Sequence, residues 1–301
     1  MKFIYNNKKN ALLAIFFIYV IAAVCAIGLY ELAYGWVEKF DFHPHLLAFL
    51  IVDVVATAIV YFAGVLFKNA SVYDPYWSVA PIVAVFGWAI ALERFDLPVI
   101  LVLIAVSLWG IRLTTNWAIG FKGMKHPDWR YVDIEAKHPK SWPLINFLGI
   151  HLMPTLVVYL ALVPVGLLIT NTAASTDSFL IVFGFLISTT AVWIQSSADK
   201  AMRRFRKTQT KPTAPKTIRD GMWNYSRHPN YFGEILFWFG IWILQMGANG
   251  NWASVIGAVL VALLFLFVSI PMMERHLIEK NAEYKTYRQT VSMLIPWFRK
   301  K

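Results

Sequence analysis

Apolar residues follow one another in eight long runs along the chain. The runs cover residues 11–30, 46–67, 76–92, 97–119, 144–170, 179–198, 231–246 and 252–273. Each lies near the ~20 residues with which an α-helix crosses the ~30 Å hydrocarbon core of a bilayer. A lipid-exposed helix satisfies its own backbone hydrogen bonds, whereas an isolated strand does not. The pattern therefore predicts an all-α, polytopic membrane helix bundle of about eight transmembrane helices.

Positive charge is concentrated in every second loop between these runs. Lysines precede the first run and acidic residues follow it, which places the amino end in the cytoplasm, because cytoplasmic loops carry the excess of Lys and Arg. Continuing the alternation puts all three basic segments on the same side, namely residues 122–142, 200–227 and 275–301. Both termini are thus predicted to be cytoplasmic.

Composition excludes a water-soluble globular fold. The sequence is 58% hydrophobic and only 15% charged, which is too apolar to leave a polar surface. A net charge of +11 would suggest nucleic acid for a soluble protein, but here the cations flank apolar runs, so we expect no nucleic acid. The first run is too long for a signal peptide, and a single cysteine, Cys25, excludes an internal disulfide framework.

No repeat, linker or shift in composition divides the chain. We therefore expect one membrane domain over residues 1–301, located in a bacterial inner membrane or the endoplasmic reticulum. The oligomeric state stays open. Polar groups at the ends of membrane helices are costly and point to function, and several such groups lie on the predicted cytoplasmic side.

Asp74 and Tyr76 begin the third apolar run. A carboxyl group beside a phenol at a desolvated interface can act as a proton donor. The same residues also suit a simple helix start, with Asp74 as N-cap and Pro75 at the first helical position.

Arg112 and Asn116 are spaced to share one face of the fourth predicted helix. The loop that follows contains Asp128, Arg130 and Tyr131. Together they favour a lined polar pocket, although an arginine at this depth also suits simple snorkelling toward the membrane surface.

A polar stripe leaves the membrane with the sixth predicted helix: Gln195, Asp199, Arg203 and Arg206. An amide and a carboxylate can hold ribose hydroxyls, and arginines can bind phosphates. The other interpretation is an ion pair between Asp199 and Arg203 with ordinary cytoplasmic positive charge.

The turn-rich segment 221–234 enters the seventh predicted helix, and a glutamate one turn inside a membrane helix is hard to explain as packing. Its candidate ligand-binding residues are Arg227, His228, Asn230, Tyr231 and Glu234. The tail adds His276, Tyr284 and Tyr287 on a helical pattern that either closes over the cytoplasmic opening or lies on anionic lipid. No Rossmann fingerprint, P-loop or zinc motif is present, and the histidines are scattered, so we expect no metal.

Two stretches carry a family resemblance. GMWNYSRHPNYFGE (residues 221–234) and SIPMMERHLIEKNAEYKTYRQTVSMLIPW (residues 269–297) resemble the steroid 5α-reductase-like membrane reductases, most closely their bacterial DUF1295-type branch. QSSADKAMRRFR (residues 195–206) is similar to the family's NADPH-binding stretch. The resemblance covers residues 71–298 and implies a seven-helix core, with residues 1–45 as an added amino-terminal span.

The resemblance also implies an activity and its site. The activity would be NADPH-dependent reduction of a C=C bond conjugated to a carbonyl in a lipophilic substrate, such as a 3-oxo-Δ4 steroid-like molecule, a sterol or an isoprenoid. Asp74 looks like the family's catalytic glutamate, while Trp109 occupies the place of its tyrosine, so Tyr76 or Tyr131 would replace it. Catalytic and cofactor-binding roles would fall on the residues above, with NADPH facing the cytoplasm and Glu234 and Asn230 at its nicotinamide end.

A sister family shares the RHPNY motif and much of the carboxyl half. These are the isoprenylcysteine and phospholipid methyltransferases, which use S-adenosylmethionine. The polar stripe from Gln195 to Arg206 together with Glu234 suits a cofactor with phosphates better than one without. A non-catalytic lipid-binding protein would explain the spans but gives Glu234 no role.

Overall fold

The computed structural model describes residues 4–5, 7–40, 42–171, 177–209 and 216–299. The chain forms two compact units, residues 1–172 and 173–301. Within the described ranges the regular structure is helical, and the one strand-like pairing is an isolated bridge between Ser226 and Ser292.

Among its described residues the first unit contains six helices of nine or more residues, which are α1 Lys8–Val37, α2 Pro44–Leu66, α3 Tyr76–Ala91, α4 Leu97–Gly120, α5 Trp129–Lys137 and α6 Trp142–Thr170. Asn7 starts α1 by accepting a hydrogen bond from the backbone of Lys9. Helix α1 packs along α2, and α3 packs between α4 and α6. The outward face of α1 is apolar and exposed along most of its length, as expected of a helix that contacts lipid.

Helix α3 is shorter than the other apolar helices of this unit. Its 16 residues span about 24 Å, less than the hydrocarbon core. At its amino end Tyr76 contacts Tyr19, with ring centroids 5.8 Å apart, and Tyr19 lies about 16 Å along α1. At its other end Trp88 packs on Phe49 near the start of α2. The preceding segment, residues 70–75, supplies the length by which α3 falls short of the hydrocarbon core.

That preceding segment is a loop inside the protein that begins with a short 3-10 helix, Ala70–Val72. Residues 70–73 are buried, and the loop is fixed by the Tyr19 hydroxyl, which donates to the Val72 carbonyl at 2.5 Å, and by the Asn69 amide, which donates to the Met124 carbonyl at 2.9 Å. Non-helical backbone at membrane depth is tolerated where protein surrounds it. The loop therefore delivers Asp74 and Tyr76 to the interior rather than to the surface.

The described part of the second unit contains four helices of eight or more residues, which are α7 Ser178–Thr208, α8 Pro229–Asn249, α9 Trp252–Lys280 and α10 Glu283–Thr290. Helices α7 and α8 form the main contact of this unit. Gly250, at φ 72°, ends α8 in the left-handed conformation, which glycine adopts without steric cost.

Two helices contain a wide turn next to a proline. The turns lie at Asn146–Leu152 in α6 and Phe265–Ser269 in α9, just before Pro154 and Pro271. A proline has no N–H to donate to the preceding turn, and a π-type turn accommodates the interruption without breaking the helix.

Seven helices within the described residues are long and apolar enough to cross a membrane. They match seven of the eight predicted spans, and the eighth is the short α3. The protein is accordingly a polytopic helical membrane protein, as predicted. The cytoplasmic placement of both termini and the single domain over residues 1–301 stay predictions.

Candidate functional site

Asp74 and Tyr131 form a hydrogen-bonded pair in the first unit. The Tyr131 hydroxyl donates to Asp74 Oδ1 at 2.5 Å, and the Trp117 indole donates to Asp74 Oδ2 at 3.3 Å. Tyr131 is positioned by α5, which Asp128 caps through the backbone N–H of Arg130. The Asp128 N–H in turn donates to Ser71 Oγ at 2.8 Å, so the two loops hold one another in place.

Burial decides the protonation of this pair. Desolvation raises the pKa of Asp74 to about 6, and nearby Arg130 and the hydrogen bond from Tyr131 oppose that rise. Burial also raises the pKa of Tyr131 well above its ordinary value, with the Asp74 charge adding to the effect. Tyr131 therefore stays protonated, and Asp74 titrates near neutrality, as suits a proton donor.

Tyr76 has a different partner from the one expected. Its hydroxyl donates to Asp53 Oδ1 at 2.7 Å, so Tyr131 rather than Tyr76 contacts Asp74. Asp53 was absent from the candidate residues, although an acid in the middle of an apolar run was a visible signal. Trp109 is fully buried and packs on Trp77 with ring centroids 6.1 Å apart.

Arg112 and Asn116 lie on α4, as their spacing predicted. Both are half-buried and separated by one helical turn, which keeps them on one face. Their expected part in a ligand pocket stays a prediction.

The predicted polar stripe lies on one continuous helix, α7. Gln195 is fully buried and Asp199 nearly so, whereas Arg203 is half-buried and Arg206 is exposed. The stripe therefore runs from the protein interior to the surface within about three turns.

Glu234 contacts the first residue of this stripe. Gln195 Nε2 donates to Glu234 Oε2 at 2.8 Å, and Trp238 Nε1 donates to Glu234 Oε1 at 3.1 Å. Gln195 Oε1 is buried and accepts no hydrogen bond from the described residues. The structure thus brings together two predicted cofactor-binding residues and leaves one buried acceptor for a further donor.

Arg227 and His228 surround Glu274 at the carboxyl-terminal part of α9. Arg227 Nε contacts Glu274 Oε1 at 2.8 Å, His228 Nε2 lies 3.2 Å from the same oxygen, and Arg288 Nε lies 3.2 Å from Glu274 Oε2. The Tyr284 hydroxyl also reaches Glu274, at 3.4 Å. Glu274 was missing from the candidate residues, although it is the first charge after the last apolar run.

Backbone contacts reinforce this cluster. The Arg227 N–H donates to the Ser292 carbonyl at 2.8 Å, and the Trp297 N–H donates to the Tyr225 carbonyl at 3.0 Å. The Tyr287 hydroxyl donates to the Trp223 carbonyl at 2.6 Å. Residues 221–228 and the final segment of the chain therefore form one hydrogen-bonded structure, in which Tyr284 and Tyr287 are buried.

The remaining predicted residues lie around this cluster. The Tyr231 ring is stacked on His228, with centroids 5.2 Å apart, while Asn230 and His276 are half-buried. Burial lowers the pKa of His228, against the effect of Glu274. Within the part of the chain that the structure describes, no group of three His, Cys, Asp or Glu side chains is arranged to hold a metal ion.

Comparisons with known proteins fit a multi-pass membrane protein that carries these polar clusters. The chain belongs to the family described as "Protein of unknown function (DUF1295)", whose sequence profile matches residues 60–291. An uncharacterized protein of Schizosaccharomyces pombe is 26% identical over 259 residues, covering 76% of this chain and 73% of that protein. No solved structure matches the chain significantly.

A second relative matches a shorter part of the chain. Methanethiol S-methyltransferase 1 of Bradyrhizobium diazoefficiens is 34% identical over 88 residues, which cover 29% of this chain and 28% of that protein.

Proposed function

We propose that the protein is a membrane-embedded, NADPH-dependent reductase of a C=C bond conjugated to a carbonyl in a lipophilic substrate, such as a 3-oxo-Δ4 steroid-like molecule, a sterol or an isoprenoid. The observation that carries this proposal is the hydrogen-bonded, half-buried pair of Asp74 and Tyr131. Enone reduction adds a hydride to the β-carbon and a proton to the resulting enolate. A hydrogen-bond donor at the carbonyl oxygen stabilises the negative charge that develops there.

Asp74 and Tyr131 would act together as that donor: a protonated Asp74 can donate its O–H to the Tyr131 oxygen, which frees the Tyr131 O–H for the substrate carbonyl. Tyr131 stays protonated because of burial, and Asp74 is partly protonated near pH 6. Tyr131 is held by Asp74, so its position is fixed before a substrate arrives, which lowers the cost of reorganisation. The other tyrosine considered, Tyr76, is already paired with Asp53.

Residues of the second unit suit a nucleotide cofactor. NADPH supplies the hydride when bound. The free acceptor Gln195 Oε1 fits a ribose hydroxyl or a carboxamide N–H, Glu234 orients Gln195, and Arg203 and Arg206 are placed nearer the surface for phosphates. In this proposal the cofactor enters from the cytoplasm, because the stripe ends in a basic loop.

A second candidate function is transfer of a methyl group from S-adenosylmethionine. The observation that favours it is the 88-residue match to Methanethiol S-methyltransferase 1. The sulfonium cofactor carries no phosphate, so Arg203 and Arg206 would have no direct role in binding it.

Thermal unfolding of the purified protein in detergent separates the two cofactors. NADPH should raise the unfolding midpoint, and Arg203→Ala and Arg206→Ala should each weaken its binding by about 1.5–3 kcal/mol. Arg204→Ala is the matched control, since Arg204 is exposed on the same helix but off the stripe. Stabilisation by S-adenosylmethionine and not by NADPH would replace the reductase proposal with the methyltransferase one.

Turnover of an enone tests the donor pair. With a 3-oxo-Δ4 steroid as substrate, NADPH oxidation should fall at least about tenfold in Tyr131→Phe, a change of ~1.4 kcal/mol in the barrier. Tyr76→Phe should lose less, because its hydroxyl pairs with Asp53 and does not contact Asp74, the proposed proton donor. Equal losses in the two variants would contradict the assignment of Tyr131.

A further inference from the structure

A cavity of about 200 Å³ lies within the first unit, between α1, α2 and α3. Small side chains leave this space open, among them Ala23 and Ala26 of α1, Ala56 of α2 and Ala84 of α3. Its lining is almost entirely apolar. Asp74 and Tyr131 do not line it, so it is separate from the proposed donor pair.

Asp53 is the buried carboxyl group of the cavity, whereas Glu31, which also lines it, is exposed. The Asp53 side chain is 6% exposed, and Tyr76 donates to its Oδ1 at 2.7 Å. Among the described residues, nothing hydrogen-bonds to the other carboxyl oxygen, Oδ2. A buried carboxyl group with an oxygen left over is costly in apolar surroundings, and pairing α2 with α3 through Tyr76 uses only the first oxygen.

The cavity opens to the outside of the bundle along α1. Ile27, at the wall, is 65% exposed, and exposed apolar residues of a membrane helix face lipid. An engineered cavity of about 150 Å³ holds a benzene ring. The space here is therefore large enough for the head and first part of a lipid-like molecule, whose remainder would extend through the opening into the bilayer.

We propose that this cavity binds a lipophilic alcohol, with the hydroxyl group on Asp53 and the apolar body along α1. A hydroxyl both donates and accepts, so it pairs with Oδ2 whether Asp53 is ionised or protonated. A ketone only accepts, and a phosphate would bring a second negative charge toward the carboxyl group.

The site does not depend on the proposed reductase function. Asp53 and the α1 wall precede the family match, which begins at residue 60. Part of the cavity lining thus lies amino-terminal to the region that the family profile matches.

Farnesol and farnesene test the proposal, because they share an apolar body and differ in the hydroxyl group. Farnesol should raise the thermal unfolding midpoint of the detergent-purified parent protein more than farnesene does. Asp53→Leu should respond equally to both compounds. An equal response of the parent protein would overturn the proposal.

Two substitutions on α1 provide a matched pair that leaves Asp53 in place. Ala23→Phe fills the cavity, whereas Val24→Phe adds the same ring on the outside, where Val24 is 63% exposed. The preference for farnesol should vanish in Ala23→Phe and persist in Val24→Phe. If it persists in both, the alcohol binds elsewhere, and this conclusion holds even if Asp53→Leu fails to fold.

Discussion

At the scale of single residues, Asp74 makes stability depend on pH. Its pKa rises from 3.8 to about 6 because it is buried, so between these values the folded protein binds more protons than the unfolded one. The free energy of unfolding should therefore fall as the pH rises from about 4 to about 6 and then level off. Asp74→Asn should lose this contribution, and unfolding midpoints of parent and variant across that range measure the difference.

Tyr131→Phe is a control in which the pKa of Asp74 should rise further instead of being removed. The hydrogen bond from Tyr131 lowers the pKa of Asp74, so without it the fall in stability should extend to higher pH. A difference between the parent protein and Asp74→Asn that stays constant with pH would show that folding does not raise the pKa of Asp74.

The sequence indicated which polar side chains lie at the ends of membrane helices better than it indicated what those side chains contact. Glu234 was identified because a carboxylate inside a membrane helix is energetically costly. In the structure it accepts hydrogen bonds from two donors, Gln195 and Trp238. Arg227 and His228 were assigned to a ligand, but they contact Glu274, a residue 46 or 47 positions away. Helical spacing reveals which side chains share a face, whereas contacts between distant segments depend on tertiary packing.

At the scale of elements, α7 and α8 pack through glycines. A Cβ added at Gly240 would lie 2.4 Å from Ser188 Oγ and 2.7 Å from Ser188 N, so the helices would have to separate. Small residues at such contacts let two backbones approach closely.

Gly240→Ala should therefore destabilise the protein, by about 1–3 kcal/mol, as expected for overpacking. Gly28→Ala is the control, because nothing lies within 4 Å of the added Cβ on α1, and alanine favours a helix by about 1 kcal/mol over glycine. Denaturant unfolding in mixed micelles compares the two. Equal effects would show that the contact between α7 and α8 adapts without cost.

Helix positions followed from the sequence, including the short α3, which the apolar run at residues 76–92 predicted closely. Apolar runs predict helices because the bilayer demands them. The burial of the loop at residues 70–75 did not follow, because this segment contains Ser71 and Asp74, and Pro75 alone did not reveal how deep it lies. Its position depends on contacts with Tyr19 and Met124, which hydropathy cannot show.

At the scale of the whole molecule, the arrangement in the membrane can be tested with reporters. Reporters inserted within residues 210–215 or fused after Lys301, both outside the described residues, should be cytoplasmic because their surroundings are basic. A reporter at Gly250, between α8 and α9, should be on the opposite side. The same side for all three would contradict the predicted topology.

A fourth reporter, between His138 and Ser141, tests whether the short α3 crosses the membrane. With α3 crossing, this loop is cytoplasmic, as its lysines suggest. Arg94, just beyond α3, donates to the Ile169 carbonyl at the end of α6 at 3.0 Å, which fits a full crossing. A non-cytoplasmic result would mean that α3 turns back within the membrane.

The hydrogen bonds between residues 221–228 and the end of the chain also have a consequence for biosynthesis. Arg227 finds Glu274 and the Ser292 carbonyl only after the ribosome has added those residues. Until then α8 is preceded by a loop whose guanidinium group lacks these acceptors. The first unit, residues 1–172, can fold during translation, whereas this loop reaches its final form only after residue 292 has been added. A nascent chain stalled before residue 292 would therefore expose a basic segment that chaperones and proteases can recognise.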